Sequence, residues 1–183
     1  MDEAEDTLLR FRFARREPQA FDEVVATYQS RVTRLAQRLL AWSADADDVV
    51  QDVFLAAFTK AGSFRGEASL WTWLTALTLN RCRRFHRRAA LVRRVRSTLG
   101  LSAGGHAPAA DSRSGSDETA RQVRSAVAAL PPIEREVIVL YYLEQRSMSQ
   151  ISELLGVSSN ALQVRMHRGR QKLKSALAEL REP

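Results

Sequence analysis

Residues Ser149-Gln150-Ile151-Ser152-Glu153-Leu154-Leu155-Gly156-Val157-Ser158-Ser159-Asn160-Ala161-Leu162-Gln163-Val164-Arg165-Met166-His167-Arg168 decide how this chain folds. Ser149 to Leu155 has the apolar spacing of one short helix, Gly156 permits a tight turn, and Ser158 or Ser159 can cap the helix that follows. This is a helix-turn-helix. In its second helix Leu162, Met166, Leu173, Leu177 and Leu180 form the stripe expected to be buried. Arg165, Arg168 and Lys172 stand roughly 60 to 120° away from it. Basic side chains at that offset straddle a groove, while the N-terminal turn, with Ser159, Asn160, Ala161 and Gln163, faces base edges. Gln suits adenine, and arginine suits guanine or phosphate. Gly169 lowers helix propensity by about 1 kcal/mol, so this helix is expected to fray after His167.

The charge of the whole chain agrees with a polyanionic partner. Its 183 residues carry a formal net charge of +7, with 45% hydrophobic and 27% charged residues. That is too apolar for a chain disordered throughout, and it suits one medium core or two small ones. From Ala68 to Ala110 there is no Asp or Glu, yet Arg81, Arg83, Arg84, Arg87, Arg88, Arg93, Arg94 and Arg96 all lie there. A solvated face normally mixes signs, so the block is expected to contact phosphates. Apolar residues recur at helical spacing almost everywhere, and bounded strand-like alternation is absent. The expected fold is all-α, two small helical domains joined by a flexible linker, the C-terminal one the helix-turn-helix. Composition sets the boundaries at 1–90, 91–118 and 119–183, because the Arg-rich and then Gly-, Ser- and Pro-containing middle segment has too little to bury.

In the N-terminal domain, a helix expected from about Asp45 to Ala61 places Val50, Val53, Phe54, Ala57, Phe58 and Ala61 on one face. Asp45, Asp48 and Asp52 lie opposite. An amphipathic core helix with a solvated acidic face accounts for most of this pattern. Leu55, however, projects beside the acidic cluster, an apolar anchor ringed by acceptors that suits a basic helical partner. Ser69 can cap the next helix, whose Leu70, Leu74 and Leu77 form a core stripe. Trp73, Asn80, Arg84 and Arg87 line a neighbouring stripe at i, i+7, i+11 and i+14. Trp73 is either a core tryptophan or a stacking platform. With an amide and two guanidiniums in line, the stripe makes a nucleic-acid track: ring on base, amide on base edge, arginines on phosphates. The preceding loop, Gly62-Ser63-Phe64-Arg65-Gly66-Glu67-Ala68, has the small residues that let backbone approach a ligand.

The run Asp47-Asp48-Val49-Val50-Gln51-Asp52-Val53-Phe54, the loop and Trp71-Thr72-Trp73-Leu74, followed by the Leu130-Pro131-Pro132 lead-in and the helix-turn-helix, resemble a bacterial sigma factor of the extracytoplasmic-function group. The likeness covers about residues 18–90 and 119–178. It implies an alternative sigma factor that binds core RNA polymerase, through the clamp helices of the largest subunit and the flap, and directs promoter-specific initiation. Asp48, Gln51 and Asp52, with Leu55, would be the docking positions. Phe64, Arg65, Trp73, Asn80, Arg84 and Arg87 would meet the melted -10 strand, where a captured base must offset a few kcal/mol of unstacking. Ser159, Asn160, Gln163, Arg165, Arg168 and Lys172 would read the -35 duplex. Promoter DNA is a partner on this reading, and an anti-sigma factor is a further one that the group allows. The chain departs from the group's pattern at Trp71, Ala76 and Leu79, where polar or basic residues are usual, and at Gln163, Val164 and Gly169.

Two other classes fit parts of the sequence. A stand-alone helix-turn-helix regulator leaves the Asp48, Leu55 and Asp52 patch without a purpose, and a sigma-mimicking adaptor that sequesters an anti-sigma factor would not need the arginines. An enzyme is not expected, because no Gly-rich phosphate loop, nucleophile elbow or acid-base pair is present. Nor is a cofactor or metal: Cys82 and His86 at i, i+4 are two ligands without nearby carboxylates. A single cysteine, an acidic start and no apolar run of about 18 residues point to a cytoplasmic protein without direct membrane insertion.

Overall fold

The computed structural model describes residues 3–64, 66–99 and 118–179, and among these it contains helices and no strand. The chain divides into two compact units, one of Met1–Ala36 with Asp45–Gly104 and the other of Gln37–Ala44 with Gly105–Pro183.

The first unit is built from α1 (Glu3–Ala14), α2 (Pro18–Leu39, whose last turn belongs to the second unit), α3 (Ala46–Lys60), a 3-10 turn (Ala61–Ser63) and α4 (Leu70–Thr98). Its core holds Phe13, Val24, Val32, Leu35, Val53, Leu70, Leu74 and Leu79, all essentially inaccessible to solvent. Ser69 begins α4 as expected, its Oγ accepting from the Thr72 amide at 3.1 Å. Thr75 and Thr78 are fully buried inside that helix, and each returns its hydroxyl to the carbonyl four residues back, so neither carries an unpaired polar group into the core.

Two expectations are corrected here. Phe58 is not a core residue: it is 56% exposed and meets Phe21 edge-on at 5.1 Å, while Val49 and Ala56 are buried on α3 instead. The Arg-rich stretch assigned to the linker is helical as far as Thr98, because Arg, Ala and Leu there are good helix formers even with nothing to bury against. The remainder of the expected linker, 100–117, and His106 within it, lie outside the described residues, and α5 begins at Glu118.

The second unit adds α5 (Glu118–Ala129), α6 (Pro132–Ile138), a π-helical turn (Val139–Leu143), α7 (Met148–Leu155) and α8 (Ser159–Glu179) around Val137, Ile138, Leu140, Ile151 and Leu162. Pro132 starts α6, where its fixed φ suits the first helical turn and no amide is lost. Arg135 is a buried cation: its guanidinium donates to the carbonyls of Val127 (3.2 Å), Ala128 (2.8 Å) and Leu130 (2.6 Å). These lie at the C-terminal end of α5, where carbonyls lack intrahelical partners and the helix dipole favours positive charge. Burial pulls the Arg135 pKa below its ordinary value, and these acceptors hold the charge in place.

The helix-turn-helix forms as expected, with caps settled in detail. Ser147 and Gln150 make a reciprocal capping box that starts α7 one residue before Ser149. Gly156 ends it in the left-handed conformation at φ +64°. Of the two candidate caps for α8, Ser158 accepts from the Ala161 amide at 3.3 Å. The expected fraying after His167 does not occur, since α8 runs unbroken to Glu179. Gly169 is instead a packing residue. A Cβ there would lie 2.9 Å from Ile138 Cγ1, so its absence lets α8 close onto α6.

Candidate nucleic-acid interface

On α3 the acidic side emerges as the sequence implies. Asp48, Gln51 and Asp52 are all exposed, and Leu55 among them is 62% exposed. One turn further, exposed Phe58 extends the apolar patch, and half-buried Phe21 of α2 backs it. Helical spacing alone groups Phe58 with Val50 and Phe54, but its ring meets that of Phe21 and stays exposed. Apolar side chains rimmed by carboxylates form a surface suited to a basic helical partner with an apolar ridge.

The loop and α4 carry the second group. Phe64 is buried, with its ring 5.2 Å from Trp73 and 6.2 Å from Phe13, and Phe13 lies 5.7 Å from Trp73. The three rings form one cluster, joined to the loop through Phe64, which directly follows Ser63. Sequence reasoning misses Phe13, on α1, although its i+4 spacing from buried Leu9 is an available signal. Trp73 is half-buried, packed against the two phenylalanines. Asn80, Arg84 and Arg87 are on the same face of α4, Asn80 and Arg84 exposed and Arg87 likewise open to solvent. Arg65 lies outside the described residues.

The unusual residues of α4 have a structural reason. Trp71 and Leu79 are buried, so these two departures change packing and leave the exposed stripe as it was. Trp71 stacks on Tyr28 with the rings 8° from parallel and 6.3 Å apart, and the Arg31 guanidinium carbon lies 4.0 Å from its ring centre. The Tyr28 hydroxyl in turn donates to Asp6 at 2.9 Å. Burial, then the Asp6 carboxylate, push the phenol pKa up to about 12.

On α8, Leu162 and Met166 are buried and Leu173 and Leu177 half-buried, while Leu180 lies outside the described residues. Ser159, Asn160, Gln163 and Arg168 are exposed, and Arg165 is half-buried beside them. Lys172 is exposed but pairs with Glu134 of α6 at 3.3 Å, an ion pair it must leave to reach a phosphate. Arg170 is a residue that sequence reasoning passes over. It donates to the Tyr142 hydroxyl at 2.9 Å, with its guanidinium carbon 5.7 Å from that ring's centre. A shallow cleft lined by Met148, Ser149, Ser152, Ser159, Leu162 and Gln163 separates the two helices of the motif. Among the described residues no group of three or more metal-ligating side chains is present, and no helix is long and apolar enough to cross a membrane.

Comparison with known proteins matches both units. Residues 24–92 fit the family model described as Sigma-70 region 2, and residues 120–173 that of Sigma-70, region 4. The chain is 30% identical to the ECF RNA polymerase sigma factor SigW of Bacillus subtilis over 88% of its own length and 90% of that protein's. It is 31% identical to the RNA polymerase sigma factor CnrH of Cupriavidus metallidurans over 94% of each chain. The solved structure of CnrH in complex with the cytosolic domain of CnrY superposes with a TM-score of 0.65 at 30% identity, covering 97% of this chain and 99% of that one. The fold is also that of RpoE from Bartonella quintana, solved with the anti-sigma factor NepR, at a TM-score of 0.69 and 22% identity over 86% of this chain and 96% of that one. An all-α chain that carries both sigma-70 regions in order and matches such relatives over nearly its whole length belongs to the extracytoplasmic-function (ECF) RNA polymerase sigma factors.

Proposed function

We propose that the two units divide the work of promoter recognition. The α3 face of Asp48, Gln51, Asp52, Leu55 and Phe58 docks on the clamp helices of the polymerase largest subunit. The loop after α3, with Trp73, Asn80, Arg84 and Arg87 of α4, captures the melted -10 strand. The helix-turn-helix enters the -35 major groove, with Ser159, Asn160 and Gln163 at the base edges and Arg165 and Arg168 on bases or phosphates. The segment around 100–117 tethers the two functions. Phe64 acts from below, holding Trp73 and the loop in place rather than meeting the strand itself. The protein works in the cytoplasm, catalyses no reaction of its own, and is held in reserve by an anti-sigma factor, as CnrH is found with the cytosolic domain of CnrY.

The observation that carries this reading is Leu55, 62% exposed on a helix that also exposes Asp48, Gln51 and Asp52. A leucine so placed gains little in a free protein and much in a complex that removes it from water. Replacing Asp48 and Asp52 together by Lys is expected to abolish co-elution with sigma-free core polymerase and to leave the helical circular dichroism signal unchanged. Co-elution that survives both substitutions would remove the docking assignment.

A further inference from the structure

The turn between α1 and α2 carries a feature that the docking and reading roles do not use. Arg16 stands there at φ +61°, a left-handed conformation that disfavours side chains with a Cβ. The turn is fixed on both sides. The Arg16 amide donates to the Phe13 carbonyl at 2.9 Å, and Arg12 pairs with Glu17 at 3.1 Å and Glu23 at 2.9 Å. The strained backbone lays the Arg16 side chain across Gly62 in the loop after α3. A Cβ on Gly62 would lie 2.9 Å from Arg16 Nε and 3.1 Å from Nη2, so the guanidinium rests against that glycine and would have to shift to admit a methyl group. Phe13, three residues before Arg16, and Phe64, two residues after Gly62, meet each other and Trp73 through their rings. Neighbouring arginines of the unit are already engaged, Arg10 by Asp6, Arg12 by two glutamates, Arg15 by the Phe11 ring and Arg31 by Trp71. Arg16 is exposed, and among the described residues no carboxylate lies within ion-pair distance of it.

We propose that Arg16 is a phosphate-binding residue of the strand-capture loop, its guanidinium parked on Gly62 to clamp the backbone of the single strand that enters over Phe64 and Trp73. The planar, forked donor set is the side chain best matched to a phosphate. Held against a glycine, it is already placed when the strand arrives. This rests on the proposed role of the loop in -10 capture, and it adds α1 and its turn to that site.

The test uses holoenzyme assembled from core polymerase and the full chain, with a fluorescent single-stranded oligonucleotide carrying the -10 element that the holoenzyme selects from a random pool. Arg16→Gly removes the guanidinium and relieves the left-handed strain, so the turn folds at least as readily. Gly62→Ala displaces the guanidinium without removing it. Each is expected to weaken binding about tenfold and to lower the slope of log affinity against log salt by about 0.7, one single-strand phosphate. The two together should cost no more than either alone, and Arg16→Lys should keep most of the slope. Unchanged affinity and slope in Arg16→Gly would overturn the proposal, as would fully additive effects of the two substitutions. Asn80→Ala separates this from the underlying reading. If it weakens binding while Arg16→Gly does not, the loop captures the strand without Arg16. If Asn80→Ala is silent while Arg16→Gly reduces the slope, the phosphate clamp stands and the base-reading assignment falls.

Discussion

α4 and α8 are both long, basic helices that present side chains to DNA on the proposed reading, yet they are seated in opposite ways. α4 is held by bulk. Leu70, Trp71, Leu74, Thr75, Leu77, Thr78, Leu79 and Cys82 are buried along its first half. α8 is held partly by what is missing, since Gly169 lets it touch Ile138 and Leu162 and Met166 do the rest. A helix positioned by many large side chains resists tilting when one is changed. A helix positioned by a close approach is tilted by a single methyl group, and its recognition turn moves with it.

Four measurements put that contrast to the test. Leu74→Ala, at a site with no solvent exposure, should destabilise the first unit by about 2 to 5 kcal/mol in denaturant unfolding. A loss below about 1 kcal/mol would mean that bulk does not seat α4. Tyr28 gives the next effect, read by pH. Its folded pKa is raised from 10.0 to about 12, so at pH between these values the unfolded phenol releases its proton and the folded one does not. Stability is therefore complete below the unfolded pKa and is lost progressively as pH rises towards 12. Tyr28→Phe should remove that part of the alkaline loss, and an identical alkaline profile would show that the Asp6–Tyr28–Trp71 stack does not hold α4.

Gly169→Ala has two opposed consequences. Alanine gains about 1 kcal/mol of helix propensity, but its Cβ would sit 2.9 Å from a buried isoleucine, and overpacking costs about 1 to 3 kcal/mol. The expected net result is a loss of about 1 kcal/mol in the second unit, with weaker -35 binding. A gain in stability would mean that α8 is not seated by that approach. Arg165→Ala and Arg168→Ala should hardly change stability, and each should reduce the salt slope of -35 binding by about one unit where the arginine holds a phosphate. A slope unaltered in both would place these arginines off the DNA.

The contrast also explains what the sequence disclosed. The helix-turn-helix is legible because its signals are local: Gly156 suits a left-handed stop, and serines flank it at capping positions. The exposure of Leu55 is legible from helical phase. Gly169 misleads because propensity is a property of one helix, whereas the approach to Ile138 depends on a second. Phe58 misleads for the same reason, its exposed ring meeting Phe21 of another helix. The helical run to Thr98 is written in Arg, Ala and Leu, but a search for burial overlooks it. Arg16 gives almost no local signal and Phe13 only its spacing from Leu9, since their partners Gly62, Phe64 and Trp73 are distant in sequence.

If this chain makes core RNA polymerase begin at particular promoters, multi-round transcription on a random-fragment template library will show it. Core polymerase with the purified chain should yield transcripts starting a fixed distance downstream of paired -35 and -10 elements, and the Asp48, Asp52 double Lys variant should yield none. Transcripts no different from those of core polymerase alone, with tight binding of duplex DNA by the free chain, would contradict it and favour a stand-alone regulator.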